Sequence, residues 1–143
     1  MPPSTPSADL HLQAARDHIA HGDFLQSTGR NDPVTVGWAI TALFYGALHA
    51  VRAYLKACKD VDVTSHEDFS NHARAYPELK RSQVDYDWLK QESQAARYYC
   101  NPNFTWADFV QLRKAANKVL ATWEPLAKKC IAAQAAPANL PRG

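Results

Sequence analysis

Glycine is scarce in this chain, with five in 143 residues, and methionine occurs once. No Gly-rich phosphate loop, no G-x-S-x-G elbow, no H-E-x-x-H pair and no EF-hand loop can be assembled from what is there, which excludes the common motif-borne nucleotide, hydrolase, zinc-protease and calcium sites. A charge excess is also lacking: 16 Lys+Arg stand against 14 Asp+Glu, a net charge of +2, with a pI near 8.5. Binding of nucleic acid by bulk charge is therefore excluded, while a local basic patch is not. The three cysteines, Cys58, Cys100 and Cys130, form no C-x-x-C pair, so the spacing predicts neither a disulfide framework nor a zinc site. Met1 to Ser7 is rich in Pro, Ser and Thr and lacks a charged-then-apolar stretch, so no secretory leader is read there. Reduced thiols and a cytoplasmic location are the expectation.

Apolar residues are plentiful: 46% of the chain is hydrophobic and 10% aromatic, enough for the core of one domain and too much for a disordered chain. Val34 to Val51 carries no formal charge over 18 residues, the lower limit for a membrane span. Thr35, Gly37, Thr41, Tyr45, Gly46 and His49 interrupt it, and Arg52 and Lys56 follow closely. A buried central helix is predicted, with no membrane.

The rest of the pattern is helical throughout. Ser7 can cap a helix over about 8–28, with Asp9 in its first turn and Leu10, Ala14, Ala15, Ile19, Phe24 and Leu25 as a weak apolar stripe. Asp32-Pro33 opens a second helix over about 33–57. Trp38, Ile40, Leu43, Phe44, Leu48, Val51, Tyr54 and Leu55 cover more than one of its faces, and Gly46 with several alanines allows close approach of neighbours. Ser65 and Asp68 match a capping signature for a short helix over about 66–76, interrupted by Pro77, with a further turn over about 78–82. A helix over about 83–100 should turn Val84, Trp88, Ala95, Ala96 and Tyr99 inward, and Asn101-Pro102-Asn103 breaks it. Thr105 and Asp108 give another cap for a helix through Phe109, Leu112, Ala116, Val119, Leu120 and Trp123, which Pro125 should end or kink before a last piece over about 126–133. No stretch alternates with period two, so no sheet is predicted. The fold class is all-α, an up-and-down bundle of four to five main helices over residues 8–133, with a disordered 1–7 segment and a flexible 134–143 tail.

Several polar side chains are candidates for chemistry. Tyr45, His49 and Arg52 share one face of the second helix; polar groups in so apolar a helix either hydrogen-bond across helices or line a cleft. Ser93 and Arg97 share a face of the fourth long segment, beside Tyr98. A guanidinium among small and aromatic residues suits phosphate or carboxylate, or a salt bridge to a neighbouring helix. Asp85 and Glu92 are the acids nearest to it in sequence. His18 and His21, nearly one turn apart, lack a third ligand, so no metal and no cofactor is predicted.

The central run Trp38-Ala-Ile-Thr-Ala-Leu-Phe-Tyr-Gly-Ala-Leu-His-Ala-Val-Arg-Ala-Tyr-Leu55, the later Ser65-His66, Asp85-Tyr86 and Ala96-Arg97-Tyr98 elements, and a final amphipathic helix together resemble the HEPN superfamily, the nucleotide-binding domain of higher eukaryotes and prokaryotes. The closest likeness is to small stand-alone prokaryotic members. The resemblance implies a helical bundle, commonly a homodimer, in a toxin–antitoxin or phage-defence setting. It also implies ligands such as RNA or a nucleotide, or a cognate protein such as a nucleotidyltransferase. Many members are metal-independent ribonucleases whose late helix carries Arg, four to six residues, then His. Here Asn101, Pro102, Asn103 and Phe104 follow Arg97 where that His would stand. Arg16 and His21 fit the spacing, but on the first helix, and no catalytic role is carried onto them. The expectation is a non-catalytic binding protein using Arg97, His49, Arg52, Tyr45, Tyr98 and Ser93. The alternatives are a ribonuclease with a degenerate site, in which His49 or His66 would have to approach Arg97, and a purely structural subunit.

Overall fold

The computed structural model describes residues 6–63, 69–98 and 103–135. Among them the chain is helical with no strand: α1 (Ala8–Ser27), α2 (Pro33–Lys59), α3 (Phe69–Ala75), a 3-10 turn (Pro77–Ser82), α4 (Gln83–Tyr98) and α5 (Trp106–Ala135). The caps predicted at Ser7, Asp32 and Thr105 form where the sequence places them. Ser7 Oγ accepts from Leu10 N at 3.2 Å, and Asp32 accepts from Thr35 N at 2.9 Å ahead of Pro33. The Thr35 backbone N–H, the largest cause, together with the Thr35 hydroxyl and the Arg30 guanidinium, holds the Asp32 carboxyl down to about 2. Thr105 and Asp108 cap each other reciprocally: Thr105 N donates to Asp108 at 2.8 Å and Asp108 N to Thr105 Oγ1 at 3.4 Å. The Ser65–Asp68 signature, His66, Tyr99 and Pro102 lie outside the described residues.

Cross-chain contacts give the helix directions. His11 meets His49, and Gly22 meets Ala39 and Leu43, so α1 and α2 are antiparallel. Gly37 meets Ala96 while Arg97 meets Tyr45, placing the end of α4 against the first half of α2. Tyr54 rests on Trp123, at 4.6 Å between ring centroids, and Cys58 is bonded to Cys130, so α2 and α5 run in the same direction. The result is an up-and-down bundle with α2 at its centre, α5 on one side, and α1 and α4 on its flanks. The core is built on α2, with Ile40, Leu43 and Leu55 packed among Leu79, Leu89, Phe109, Leu112, Val119 and Trp123, all essentially without solvent exposure. The Trp123 indole N–H is satisfied there by Ser82 Oγ at 3.0 Å. By length and composition α2 could cross a membrane, but 78% of its most apolar window is buried inside the bundle. This is compatible with the core helix of a soluble protein.

Four expectations are corrected. α5 does not end near Trp123 but runs on past Pro125 as one helix. The Pro ring deprives the Ala121 carbonyl of its helical partner, yet the turns on both sides are anchored by fully buried Trp123 and Ala127. The helix therefore reaches Ala135, two residues into the expected tail. The inner face of α4 is Tyr86, Leu89 and Ser93, whereas Val84 is 83% and Trp88 40% exposed; Tyr86 stacks on Phe69 and meets Phe44 edge-on, contacts that fix the helix rotation. The inward stripe of α1 is Ala8, His11, Leu12, Ala15, Ile19 and Gly22, and Leu10 and Phe24 point outward. Finally, Cys58 and Cys130 form a disulfide, 72 residues apart in sequence with Cα atoms at 5.4 Å. Such a long separation carries no spacing signal, and only the shared direction of α2 and α5 brings the two cysteines together.

Candidate functional site

With α5 behind α2 and α1 and α4 beside it, one stripe of α2 is left uncovered. Val34 and Trp38 are exposed at its start, and Tyr45, His49, Arg52 and Lys56 are half-buried further along. The spacing of these residues is that of a single helix face. The floor of the groove is therefore apolar at one end and polar at the other.

The α1 wall comes unusually close because Gly46 has no side chain. A Cβ there would sit 2.6 Å from Ile19 Cδ1 and 3.2 Å from the Ala15 carbonyl. This approach brings His11 and His18, two turns apart, onto the α2 stripe. His11 Nδ1 and His49 Nδ1 are hydrogen-bonded at 3.0 Å. The His18 ring lies parallel to that of His49, with centroids 5.4 Å apart and planes 9° apart, and 5.5 Å from the Tyr45 ring. Burial is the main reason that all three imidazoles titrate below the ordinary histidine range. His49 falls to about 4, with further lowering by His11, His18 and Arg52. For His11 the next causes are Arg52, which lowers it, and Asp62, which raises it; for His18 the next is His21. In all three rings burial favours the neutral form. Burial lowers the Arg52 guanidinium as well, against the favourable effect of Tyr86 and Tyr45.

The α4 wall supplies Arg97. Its Nη1 donates to the Tyr45 hydroxyl at 2.9 Å, its Nε to the Ser93 carbonyl at 3.2 Å and its Nη2 to Ser93 Oγ at 3.4 Å. The guanidinium carbon lies 5.5 Å from the Tyr45 ring centroid and 5.0 Å from that of Tyr98, distances suited to cation–π attraction. Ser93 is fully buried and its hydroxyl also donates to the Lys90 carbonyl at 2.9 Å, so it orients Arg97 from below. Every one of these acceptors is neutral. Among the described residues no ion pair reaches Arg97, from Asp85, Glu92 or any other acid; the pairs run elsewhere, among them Arg16 with Glu124, Lys56 with Asp62, Lys59 with Glu78, and Arg113 with Asp23.

The structure therefore brings Arg97, Tyr45, Tyr98 and Ser93 together on one side of the groove and His49 and Arg52 further along its floor. Arg16 and His21 do not converge: Arg16 is turned onto Glu124 of α5, and His21 is exposed beside Phe24. Sequence reasoning missed His11 and the role of His18. Their separation of seven residues, with Ala15 between them on the buried stripe, was the available signal. Among the described residues no three His, Cys, Asp or Glu side chains are placed to hold a metal ion. No protein-family model, no curated protein and no solved structure matches this chain.

Proposed function

We propose that the groove between α1, α2 and α4 binds a phosphate-bearing ligand, a nucleotide or single-stranded RNA. The observation that carries this reading is Arg97, a fixed guanidinium whose hydrogen bonds among the described residues go to neutral acceptors. A cation held in place without a carboxylate is suited to an anion, and a planar guanidinium suits phosphate oxygens. Arg52 adds a second cation along the same floor, and Tyr45, Tyr98 and exposed Trp38 offer faces on which a base can stack. The test is a titration of labelled oligouridylate and of ADP followed by fluorescence anisotropy. Arg97→Ala should weaken binding by about 1–3 kcal/mol, the worth of a charge-assisted hydrogen bond, with helical circular dichroism retained. If Arg97→Ala unfolds the protein while affinity per folded molecule is unchanged, Arg97 is structural and the reading fails.

A ribonuclease with a degenerate site is the second reading, favoured by one observation: the His18 ring stands between that of His49, on which it stacks, and that of Tyr45, to whose hydroxyl Arg97 is hydrogen-bonded. Cleavage through the 2′-hydroxyl needs one group to take its proton and another to protonate the leaving oxygen. Metal-free cleavage of RNA, lost on His49→Gln, would support it.

The setting follows from the HEPN resemblance: a toxin–antitoxin or phage-defence protein, paired as a homodimer or with a cognate protein such as a nucleotidyltransferase. A cytoplasmic location belongs to the same proposal and must be reconciled with the Cys58–Cys130 bond, since most cytosolic proteins keep their thiols reduced.

A further inference from the structure

The His11–His49 contact constrains where protons can sit. With Nδ1 facing Nδ1 at 3.0 Å, one of the two nitrogens must carry the hydrogen and the other must offer its lone pair. The ring that donates through Nδ1 then has a free lone pair at Nε2, while its partner carries the Nε2 hydrogen. The neutral pair can accept one proton, at the donor ring's Nε2, and keep its hydrogen bond in a stronger, charge-assisted form. A second proton would set N–H against N–H and separate α1 from α2. The pair is thus built to take up a single proton.

What surrounds the pair opposes that uptake while the groove is empty. From α2 come Arg52 and Lys56, with Tyr45 as a neutral neighbour; from α1 comes His18, itself flanked by His21 and Asp17. From α4, Arg97 reaches the same floor through Tyr45, and Tyr86 lies near Arg52. Asp62, beyond α2, favours protonation of His11 but is already engaged with Lys56 at 3.1 Å. α5 lies on the opposite side of α2. The local balance is cationic, and a bound anion would reverse it.

We propose that anion binding in this groove is proton-coupled: a phosphodiester entering beside Arg97 and Arg52 brings one proton from solvent onto the Nε2 of the His11–His49 pair, with the Nδ1–H···Nδ1 bond kept. This rests on the groove being an anion site and adds how its affinity is regulated. The ligand then binds more tightly as the pH falls below neutrality, by up to about tenfold per pH unit for one linked proton.

The probe is a 2′-O-methyl oligouridylate, which cannot be cleaved through its 2′ position and has no group that titrates near neutrality. Isothermal calorimetry at pH 6.5, in two buffers of different ionisation enthalpy, reads the protons taken up per ligand. The expected result is uptake approaching one proton, an affinity that rises between pH 7.5 and 6, and loss of the uptake in His49→Gln and in His11→Gln with residual binding through Arg97. Because the wild-type measurement alone reads the proton, misfolding of either variant does not shield the proposal. Binding that is independent of pH and takes up no proton overturns the coupling and leaves the anion groove standing. Uptake that persists in both variants overturns it too, by locating the proton elsewhere. No binding at any pH defeats the groove reading itself and the coupling with it.

Discussion

Replacing Gly46 by alanine tests the close approach on which the α1 wall of the groove depends. The added Cβ would lie 2.6 Å from Ile19 Cδ1, 2.8 Å from Ile19 Cγ1 and 3.2 Å from the Ala15 carbonyl oxygen. The Cδ1 methyl can rotate away, but Cγ1 can retreat only through a change of χ1 that a β-branched residue in a helix resists, and the Ala15 carbonyl only if α1 moves. Ile19 is buried, so its displacement also disturbs the core. Overpacking of this kind costs about 1–3 kcal/mol, and alanine recovers about 1 kcal/mol of helix propensity over glycine. A net loss of up to about 2 kcal/mol is expected, which lowers Tm by up to roughly 4–8 °C at this chain length. Gly37→Ala is the matched control on the same helix. Its Cβ would meet Ala96 Cβ at 3.4 Å, an ordinary contact, so the propensity gain should survive and Tm should rise slightly. Both melts are followed by circular dichroism in the same redox state. A Gly46→Ala protein as stable as wild type, beside a destabilised Gly37→Ala, would refute the packing argument.

Three further outcomes are expected. Acid should destabilise the fold through His49: its titration near 4 lies below the unfolded value of 6.5, so between those values the unfolded chain binds a proton that the folded chain refuses. Tm should therefore fall as pH drops from about 6.5 toward 4, with no contribution from this group above that window, and His49→Gln should flatten the slope. Cys58→Ser should lower stability by about 2–4 kcal/mol, the usual worth of a cross-link that closes a long loop, and reduction of the wild type should match it in a chemical-denaturation series. Light scattering at tens of micromolar should give a dimer if exposed Val34 and Trp38 at the start of α2 form part of a two-fold interface; a monomer at that concentration counts against self-association.

The helices were legible because their ends are written in local chemistry. Ser7, Asp32-Pro33 and the Thr105/Asp108 pair each act within one turn, so no tertiary information is needed to place them. The course of α2 was legible for a different reason: an apolar run with small residues has to be surrounded. The rotation of α4 was harder to read. Val84 and Trp88 are as apolar as Tyr86 and Leu89, and what decides between them is the stacking of Tyr86 on Phe69, a residue in a separate short helix. Pro125 misled because its local cost is real but is outweighed by the burial of Trp123 and Ala127 on either side. In the groove, Tyr45, His49, Arg52 and Arg97 stood out as polar exceptions on core helices. His11 did not, and His18 stood out only as a neighbour of His21, because a histidine on a weakly amphipathic helix looks solvated until Gly46 reveals how near α2 stands. The disulfide was invisible for the same reason, as it depends on two helices sharing a direction.

Where an anion binds decides between these readings, and nuclear magnetic resonance can locate it directly. The spectrum of the protein, with arginine Nε–H, histidine ring and tyrosine ring signals assigned, is followed while unlabelled 2′-O-methyl oligouridylate is added. Saturable shifts are expected at Arg97 Nε–H and at the rings of Tyr45, His49 and Tyr98, with the outer face of α5 unmoved. Saturable shifts centred instead on the exposed lysines of α5, Lys114 and Lys118, with Arg97 and Tyr45 unchanged, would contradict the groove reading.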